Sequence, residues 1–406
     1  MHRRPGLIVA ALCAAEVLSM AAFAMFPALQ PALRPEWRLS NTAAGWIAGT
    51  YYFGYMLAVP VLTGVTDRVD PRRVWLTSAA LVAAAAVGFG GLASGLWSAL
   101  ACQFLAGVGL AGTFMPGLKL LADVTEGPLQ ARFISFYTTS FTVGSSTSFY
   151  VLGALADTFG WRAAVLSAAL GPAAAWVVVL ALLPAHASRP FAWDPLWQMD
   201  FRPVLRSPAS MRYVYSYIGH MWELFSFRAW LVPFLTFTYT LHARAGGLRP
   251  TTVAALIALL GVPSSIAGNE LSTRFGRLRV IPIVMIGSLV FSVAAGFSSP
   301  LPWAVVVCGC CVYGVLINAD SAALTSGLVA SAAPDVRGAS MALYSMLGFA
   351  GAFAGSLAVG GVLDAFGGQS IGSWAAAFVA MGLPGIASFF VMRRAAAAAR
   401  TACYSG

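Results

Sequence analysis

Charge is scarce in this chain. Only 9% of its 406 residues are Asp, Glu, Lys or Arg, against 59% hydrophobic, whereas a soluble domain carries about 25% charge. A soluble chain this apolar would expose large sticky patches. The composition therefore excludes a soluble enzyme, a disordered protein and a nucleic-acid binder. Lysine is nearly absent: Lys119 is the only one among 24 basic residues. Cysteine is sparse too. Cys13, Cys102, Cys308, Cys310 and Cys311 sit inside apolar runs and Cys403 in the tail. None of these spacings reads as a metal site or a disulfide framework, so they are expected to be small packing residues. The sequence has no nucleotide-binding loop, catalytic triad, cofactor motif or metal cluster. An intramembrane enzyme is not expected, and neither is a receptor, which would carry a sizeable soluble domain.

What is present is a set of apolar runs of about 20 residues, long enough to cross ~30 Å of hydrocarbon as helices. The net charge of +10 is confined to short clusters between them. Twelve spans are expected, at 7–29, 42–63, 74–93, 97–121, 133–156, 162–183, 213–240, 251–269, 280–298, 303–330, 338–362 and 374–392. The first is longer than a signal-peptide core and contains Glu16, so it reads as a retained helix. With the N-terminus inside, 18 basic residues fall on inner segments and 5 on outer ones, with Arg228 inside a span. That bias places both termini in the cytoplasm, in a bacterial inner membrane. The longest polar stretch, 184–212, holds Pro184, Pro190, Pro195, Pro203 and Pro208, with Trp193 and Trp197 suited to the membrane interface. It separates an N-terminal six-helix bundle, 1–183, from a C-terminal bundle with a short cytoplasmic tail, 213–406.

The two halves repeat at an offset of about 206 residues. Glu16-Val17-Leu18-Ser19 resembles Glu223-Leu224-Phe225-Ser226, and Pro27-Ala28-Leu29 matches Pro233-Phe234-Leu235. Asp67-Arg68-Val69-Asp70-Pro71-Arg72-Arg73 corresponds to Thr273-Arg274-Phe275-Gly276-Arg277-Leu278-Arg279. Trp97 pairs with Trp303, and Asp157-Thr158-Phe159-Gly160 with Asp364-Ala365-Phe366-Gly367. Six spans separate the copies, so both have the same orientation, as in a parallel duplication about an axis along the membrane normal.

On these residues the chain resembles the major facilitator superfamily over nearly its whole length. The loop after the second span carries the resemblance most clearly, keeping Asp67, Arg68, Arg72 and Arg73 of the family pattern. The later copy keeps Arg274, Gly276 and Arg277 but has Thr273 at the acid's position. The resemblance implies an all-α fold of two pseudo-symmetric six-helix bundles and alternating-access transport of a small solute by a monomer. Asp67, Arg68, Arg72, Arg73, Arg274 and Arg277 would then form the cytoplasmic gate. It also implies that spans one, four, seven and ten line a central cavity. Two departures count against a typical proton-driven drug antiporter. The family's span-four Arg aligns with Gln103, and the exporters' Gly-Pro motif is not evident in Thr142-Val143-Gly144-Ser145-Ser146.

Ionisable groups at membrane depth are costly unless paired or hydrated, so each is a candidate functional group. They are Glu16, His220, Glu223, Arg228 and Asp320. At ~100° per residue, Glu223 lies about 60° from His220 on the seventh span and Arg228 about 80° away on the other side. The family cavity would bring Glu16 and Glu223 together near the histidine. Two carboxylates in a low-dielectric site favour holding a proton, a basis for proton coupling. Either acid would otherwise serve as a fixed helix lock. Arg228 offers a planar fork to a solute carboxylate, or else a structural ion pair with Asp320 or Glu223. Tyr51 and Tyr55 share a face of the second span and are placed to hydrogen-bond a solute, unless they pack. Trp222 and Trp230 are expected to shape apolar walls, unless they too serve only to pack, and Lys119 to snorkel at the inner interface. The leading expectation is a proton-coupled transporter of a small organic anion. The alternative is an exporter of cationic or amphiphilic drugs.

Overall fold

The computed structural model of the chain describes residues 5–66, 69–125, 128–183, 200–242, 247–333 and 336–404. Among these residues the fold is all helix and no strand. The first part of the chain forms α1 (Pro5–Ser19), α2 (Gln30–Glu36), α3 (Asn41–Val65), α4 (Pro71–Leu92), α5 (Leu96–Val124), α6 (Pro128–Phe159), α7 (Trp161–Ala168) and α8 (Leu170–Leu182). A short α9 (Arg202–Leu205) precedes the long α10 (Pro208–Leu241), followed by α11 (Pro250–Phe275), α12 (Arg277–Gly296), α13 (Trp303–Ala319), α14 (Ser321–Ser331), α15 (Arg337–Ala365), α16 (Ile371–Gly382) and α17 (Pro384–Tyr404). Among the described residues, eight helices or abutting helix pairs are long and apolar enough to cross a membrane. The other four expected spans map onto α1, α3, α6 and α10, which are shorter or richer in hydroxyl, Tyr and ionisable residues.

The chain forms two compact units. Unit 1 comprises Met1–Leu39, Thr50–Gln198 and Ala254–Leu259; unit 2 comprises Ser40–Gly49, Met199–Val253 and Leu260–Gly406. Unit 1 buries Leu12, Ala15, Trp75, Leu120, Tyr137 and Val179 in one cluster. Unit 2 buries Val204, Met211, Ile281, Leu324, Tyr344 and Met392 in another.

Several spans read as continuous from sequence are interrupted. The first ends as an α-helix at Ser19 and continues through a 3-10 turn, Met20–Ala22, and further turns to Leu29. The freed backbone is met by α6: the Ala24 amide donates to Ser148 Oγ at 3.0 Å, and that hydroxyl donates to the Ala21 carbonyl at 2.7 Å. Substitution of water by a neighbouring hydroxyl is what makes such a break tolerable in lipid. Pro27 lies in this turn, whereas its repeat counterpart Pro233 sits inside the uninterrupted α10. The tenth span breaks at Asp320, between α13 and α14, and the twelfth at Leu383.

At the start of α3 the carboxylate of Asp364 acts as an external cap. Its Oδ1 accepts from the Asn41 amide at 3.0 Å and from Asn41 Nδ2 at 2.7 Å. Its Oδ2 accepts from the Thr42 amide at 2.8 Å and from Thr42 Oγ1 at 2.7 Å. Orphan amides and the positive end of the helix dipole favour an anion there. A Cβ on Gly360 would lie 2.3 Å from the Asn41 carbonyl, so the glycine permits the approach.

Candidate functional site

Two ionisable residues of unit 2, His220 and Asp320, meet where α10 passes the break between α13 and α14. His220 and Asp320 are buried, 3% and 4% exposed, and His220 Nδ1 lies 2.8 Å from Asp320 Oδ1. The other ring nitrogen, Nε2, is buried without a partner. Asp320 is the junction residue itself, closing α13 and opening α14. The break places its carboxylate beside α10 without unsatisfying the backbone, since its carbonyl accepts the Leu324 amide at 2.8 Å. Close packing fixes this junction. A Cβ on Gly268 of α11 would lie 1.7 Å from the Ala319 carbonyl, and one on Gly261 would lie 2.8 Å from Asn318 Oδ1. Asn318 turns away, donating Nδ2 to the Gly314 carbonyl at 2.7 Å.

One turn along α10, the buried Glu223 accepts two hydroxyl hydrogen bonds on Oε1, from Ser288 of α12 and from Tyr313 of α13 at 3.0 Å. Aromatic rings wall the histidine. Tyr217 stacks on Tyr344 at 3.7 Å and on His220 at 5.6 Å between centroids. Arg228, also buried, lies two turns from His220, about 12 Å along the axis, with its guanidinium carbon 5.4 Å from the Phe225 ring centroid.

In unit 1 the buried Glu16 has a different setting. Its Oε2 accepts from Tyr137 at 3.0 Å, and Oε1 is buried without a partner. The same hydroxyl lies 3.2 Å from the Thr113 carbonyl and 3.3 Å from that of Phe114. Pro116 lies inside α5 and cannot donate to the turn before it. A Cβ on Gly117 would lie 2.0 Å from the Tyr137 oxygen, so this glycine makes room for the phenol.

The remaining expected residues divide. Tyr51 and Tyr55 are buried in unit 1. Tyr51 meets Phe23 edge-on at 5.5 Å and Tyr52 at 5.6 Å. Trp222 and Trp230 anchor α10 rather than simply lining it, donating to the carbonyls of Ala380 and Ser356 at 3.1 and 2.9 Å. Lys119 is not an interfacial snorkel alone, because its Nζ donates to the Thr66 carbonyl at 2.8 Å and so caps the end of α3. Of the expected gate, Asp67 and Arg68 lie outside the described residues. Arg72 donates to the Leu180 carbonyl at 2.6 Å. Arg73 and Arg274 are exposed, and Arg277 is partly so. The stretch 184–199 of the expected central loop also lies outside the described residues.

Tyr137, Ser288, Tyr313, Tyr217 and Tyr344 escaped the sequence reading. One signal was available: at the offset of 207 that relates Glu16 to Glu223, Tyr137 corresponds to Tyr344. The same offset relates Cys13 to His220, Thr113 to Asp320 and Ala21 to Arg228. The histidine, its acid and the arginine are therefore particular to the second copy.

Helices long and apolar enough to cross a membrane, in two units with buried ionisable groups, define a polytopic helical membrane protein. The sequence pattern of the Major Facilitator Superfamily matches residues 12–356, and the chain belongs to that family. Among curated proteins, the Niacin transporter NiaP of Acinetobacter baylyi is 27% identical over 150 residues, 36% of this chain and 33% of that protein. The MFS-type transporter 1 of Pyricularia oryzae is 26% identical over 160 residues, 39% of this chain and 26% of that protein. The match thus spans a third or less of these relatives' length. Solved structures share the fold over nearly the whole chain. The nucleoside transporter NupG has a TM-score of 0.72 at 14% identity, covering 95% of this chain and 98% of that one. The human organic anion transporter MFSD10 (TETRAN) has a TM-score of 0.68 at 17% identity, covering 96% and 100%.

Proposed function

We propose that the chain is a secondary transporter that carries a small organic anion, coupled to a proton, by alternating access. The observation that carries this reading is the buried His220–Asp320 pair at the broken tenth span, with His220 Nε2 free to take a proton. Imidazole is the side chain that ordinarily exchanges protons in the physiological range. Uptake of one proton changes the pair from a net charge of −1 to 0.

Charge balance then gives the coupling rule. Glu223 is held by two hydroxyl donors, a setting suited to a carboxylate. Arg228 offsets one of the two acids. A proton at His220 and an anionic solute at Arg228 add opposite charges, so the empty and fully loaded sites carry the same charge. A half-loaded site differs by one unit, and an unbalanced charge at membrane depth costs several kcal/mol. That cost suppresses movement with solute alone or proton alone. The organic-anion class rests on the guanidinium fork. It is supported by a relative named for niacin, which is itself a carboxylate at neutral pH. A drug exporter would use the acids for a cation and Arg228 only as a structural neutraliser.

Glu16 is assigned a structural role on this reading. One phenolic hydrogen faces three acceptors, Glu16 and two carbonyls. The count closes when Glu16 is a neutral carboxyl that donates to the Tyr137 oxygen, leaving the phenol to donate to Thr113.

The test is uptake of labelled monocarboxylates, nicotinate first, into proteoliposomes under an inward-directed proton gradient. Gradient-driven accumulation in the wild type, lost in His220→Gln while counterflow exchange survives, supports the reading. Accumulation that persists in His220→Gln contradicts it.

A further inference from the structure

His220 needs more than its acid to carry a proton at a single atom. The terminal torsion of a histidine is broad and roughly two-fold, so the 2.8 Å contact with Asp320 does not by itself fix the ring plane. Packing does. One turn earlier on α10, Tyr217 lies nearly parallel to the imidazole, with centroids 5.6 Å apart and planes at 17°. Tyr217 in turn stacks on Tyr344 of α15, with centroids 3.7 Å apart and planes at 10°.

The neighbours of Tyr217 hold it there. A Cβ on Gly348 of α15 would lie 2.4 Å from its Cε1 and 2.5 Å from its Cδ1, so a glycine is what admits the ring. The Tyr344 hydroxyl lies 3.0 Å from Thr325 Oγ1, which donates to the Ser321 carbonyl at 3.2 Å. With its one hydrogen given to Ser321, Thr325 accepts from Tyr344. Ser321 opens α14 directly after Asp320. The contacts therefore form a closed circuit, from Asp320 through His220, Tyr217, Tyr344 and Thr325 back to the first turn of α14. Glu223, the other acid of α10, stands outside it, engaged by Ser288 and Tyr313. The circuit also goes with the histidine in the repeat. At the offset of 207, Ala10, Leu118 and Phe141 stand where the second copy has Tyr217, Thr325 and Gly348.

We propose that Tyr217 is a positioning residue for proton coupling: its stack fixes the imidazole plane, so that Nδ1 stays on Asp320 and Nε2 alone exchanges the proton. The proposal rests on the coupling role of His220 proposed above. The acid favours a hydrogen on Nδ1 of the neutral ring, and the aromatic contact penalises rotation of the ring away from it. Without Tyr217 the ring turns, both nitrogens exchange, and the number of protons carried per solute is no longer fixed.

The test is nitrogen NMR of the full chain carrying isotope-labelled histidine, reconstituted in lipid at a pH where the imidazole is neutral. The chain has four histidines, and the His220 signals are those lost in His220→Gln. Wild type should show one neutral form, with the hydrogen on Nδ1. Tyr217→Phe, which keeps the ring, should match it. In Tyr217→Leu, and in Gly348→Ala, which displaces the ring, the preference for that form should fall by about three- to tenfold, the scale of one aromatic contact. In proteoliposomes the protons moved per solute should stay fixed in Tyr217→Phe and decline in Tyr217→Leu. An unmoved tautomer preference or proton count in Tyr217→Leu, or a mixture of tautomers in wild type, would overturn the proposal; the last reading needs no variant to fold. Accumulation that persists in His220→Gln contradicts the coupling role itself, so the two failures are distinguishable.

Discussion

Glu16 and Glu223 occupy the same place in the repeat, yet their neighbours assign them different work. Glu223 receives two hydroxyl donors, whereas Glu16 shares one phenol with two carbonyls. Glu16→Gln should therefore keep transport and shift stability by less than about 1 kcal/mol, because the amide still donates to Tyr137. Tyr137→Phe leaves the buried Glu16 carboxyl without its partner and should cost about 1–3 kcal/mol; thermal unfolding of both variants checks the pair. Glu223→Gln fixes the site one charge unit higher, so it should abolish proton-driven accumulation and spare counterflow. Retained accumulation would remove Glu223 from the coupling set. Arg228→Lys keeps the charge and loses the fork, and should weaken solute binding by about tenfold or more. Near-normal affinity, or rescue by neutralising Arg228 together with Glu223, would favour the cation reading. All five ionisable residues were legible as candidates because charge at membrane depth is rare. Their pairing was not. The hydroxyls that choose between the acids are Tyr and Ser, which carry no such signal in an apolar run.

At the scale of elements, the structure's departures from regular helix are where chemistry sits. Asp320 reaches His220 because the tenth span stops at Ala319 and restarts at Ser321. Nothing in the local sequence announces this break, since no Pro or Gly stands at the junction. It is set instead by tertiary packing, with the Gly268 backbone pressed on Ala319. Gly268→Ala should therefore cost about 1–3 kcal/mol by overpacking and depress gradient-driven uptake more than counterflow. A variant with normal stability and uptake would show that the junction is not held this way. The Asp364 cap on α3 is a second such device. Asp364 was visible in sequence only as a member of the repeated Asp-x-Phe-Gly turn. Asp364→Ala removes acceptors from Asn41 and Thr42 and should destabilise by about 1–2 kcal/mol. Asp364→Asn should recover part of this, and equal melting temperatures for wild type and Asp364→Ala would contradict the cap.

Across the whole molecule, the all-helical membrane fold and the family were legible because hydrophobic run length and residue offset survive without knowledge of packing. Breaks within spans and the partners of Trp222, Trp230 and Lys119 depended on neighbours distant in sequence. The duplicated fold is asymmetric in its chemistry, with Cys13, Thr113 and Ala21 standing where the second copy has His220, Asp320 and Arg228. Coupling on this account belongs to the second unit alone. The most direct measurement compares wild type, His220→Gln and Cys13→Ser for uptake of labelled monocarboxylates into proteoliposomes with and without an inward proton gradient. The account predicts accumulation above equilibrium for wild type and Cys13→Ser, and equilibration only for His220→Gln. Gradient-driven accumulation by His220→Gln, or accumulation of a lipophilic cation in place of every carboxylate tested, would contradict it.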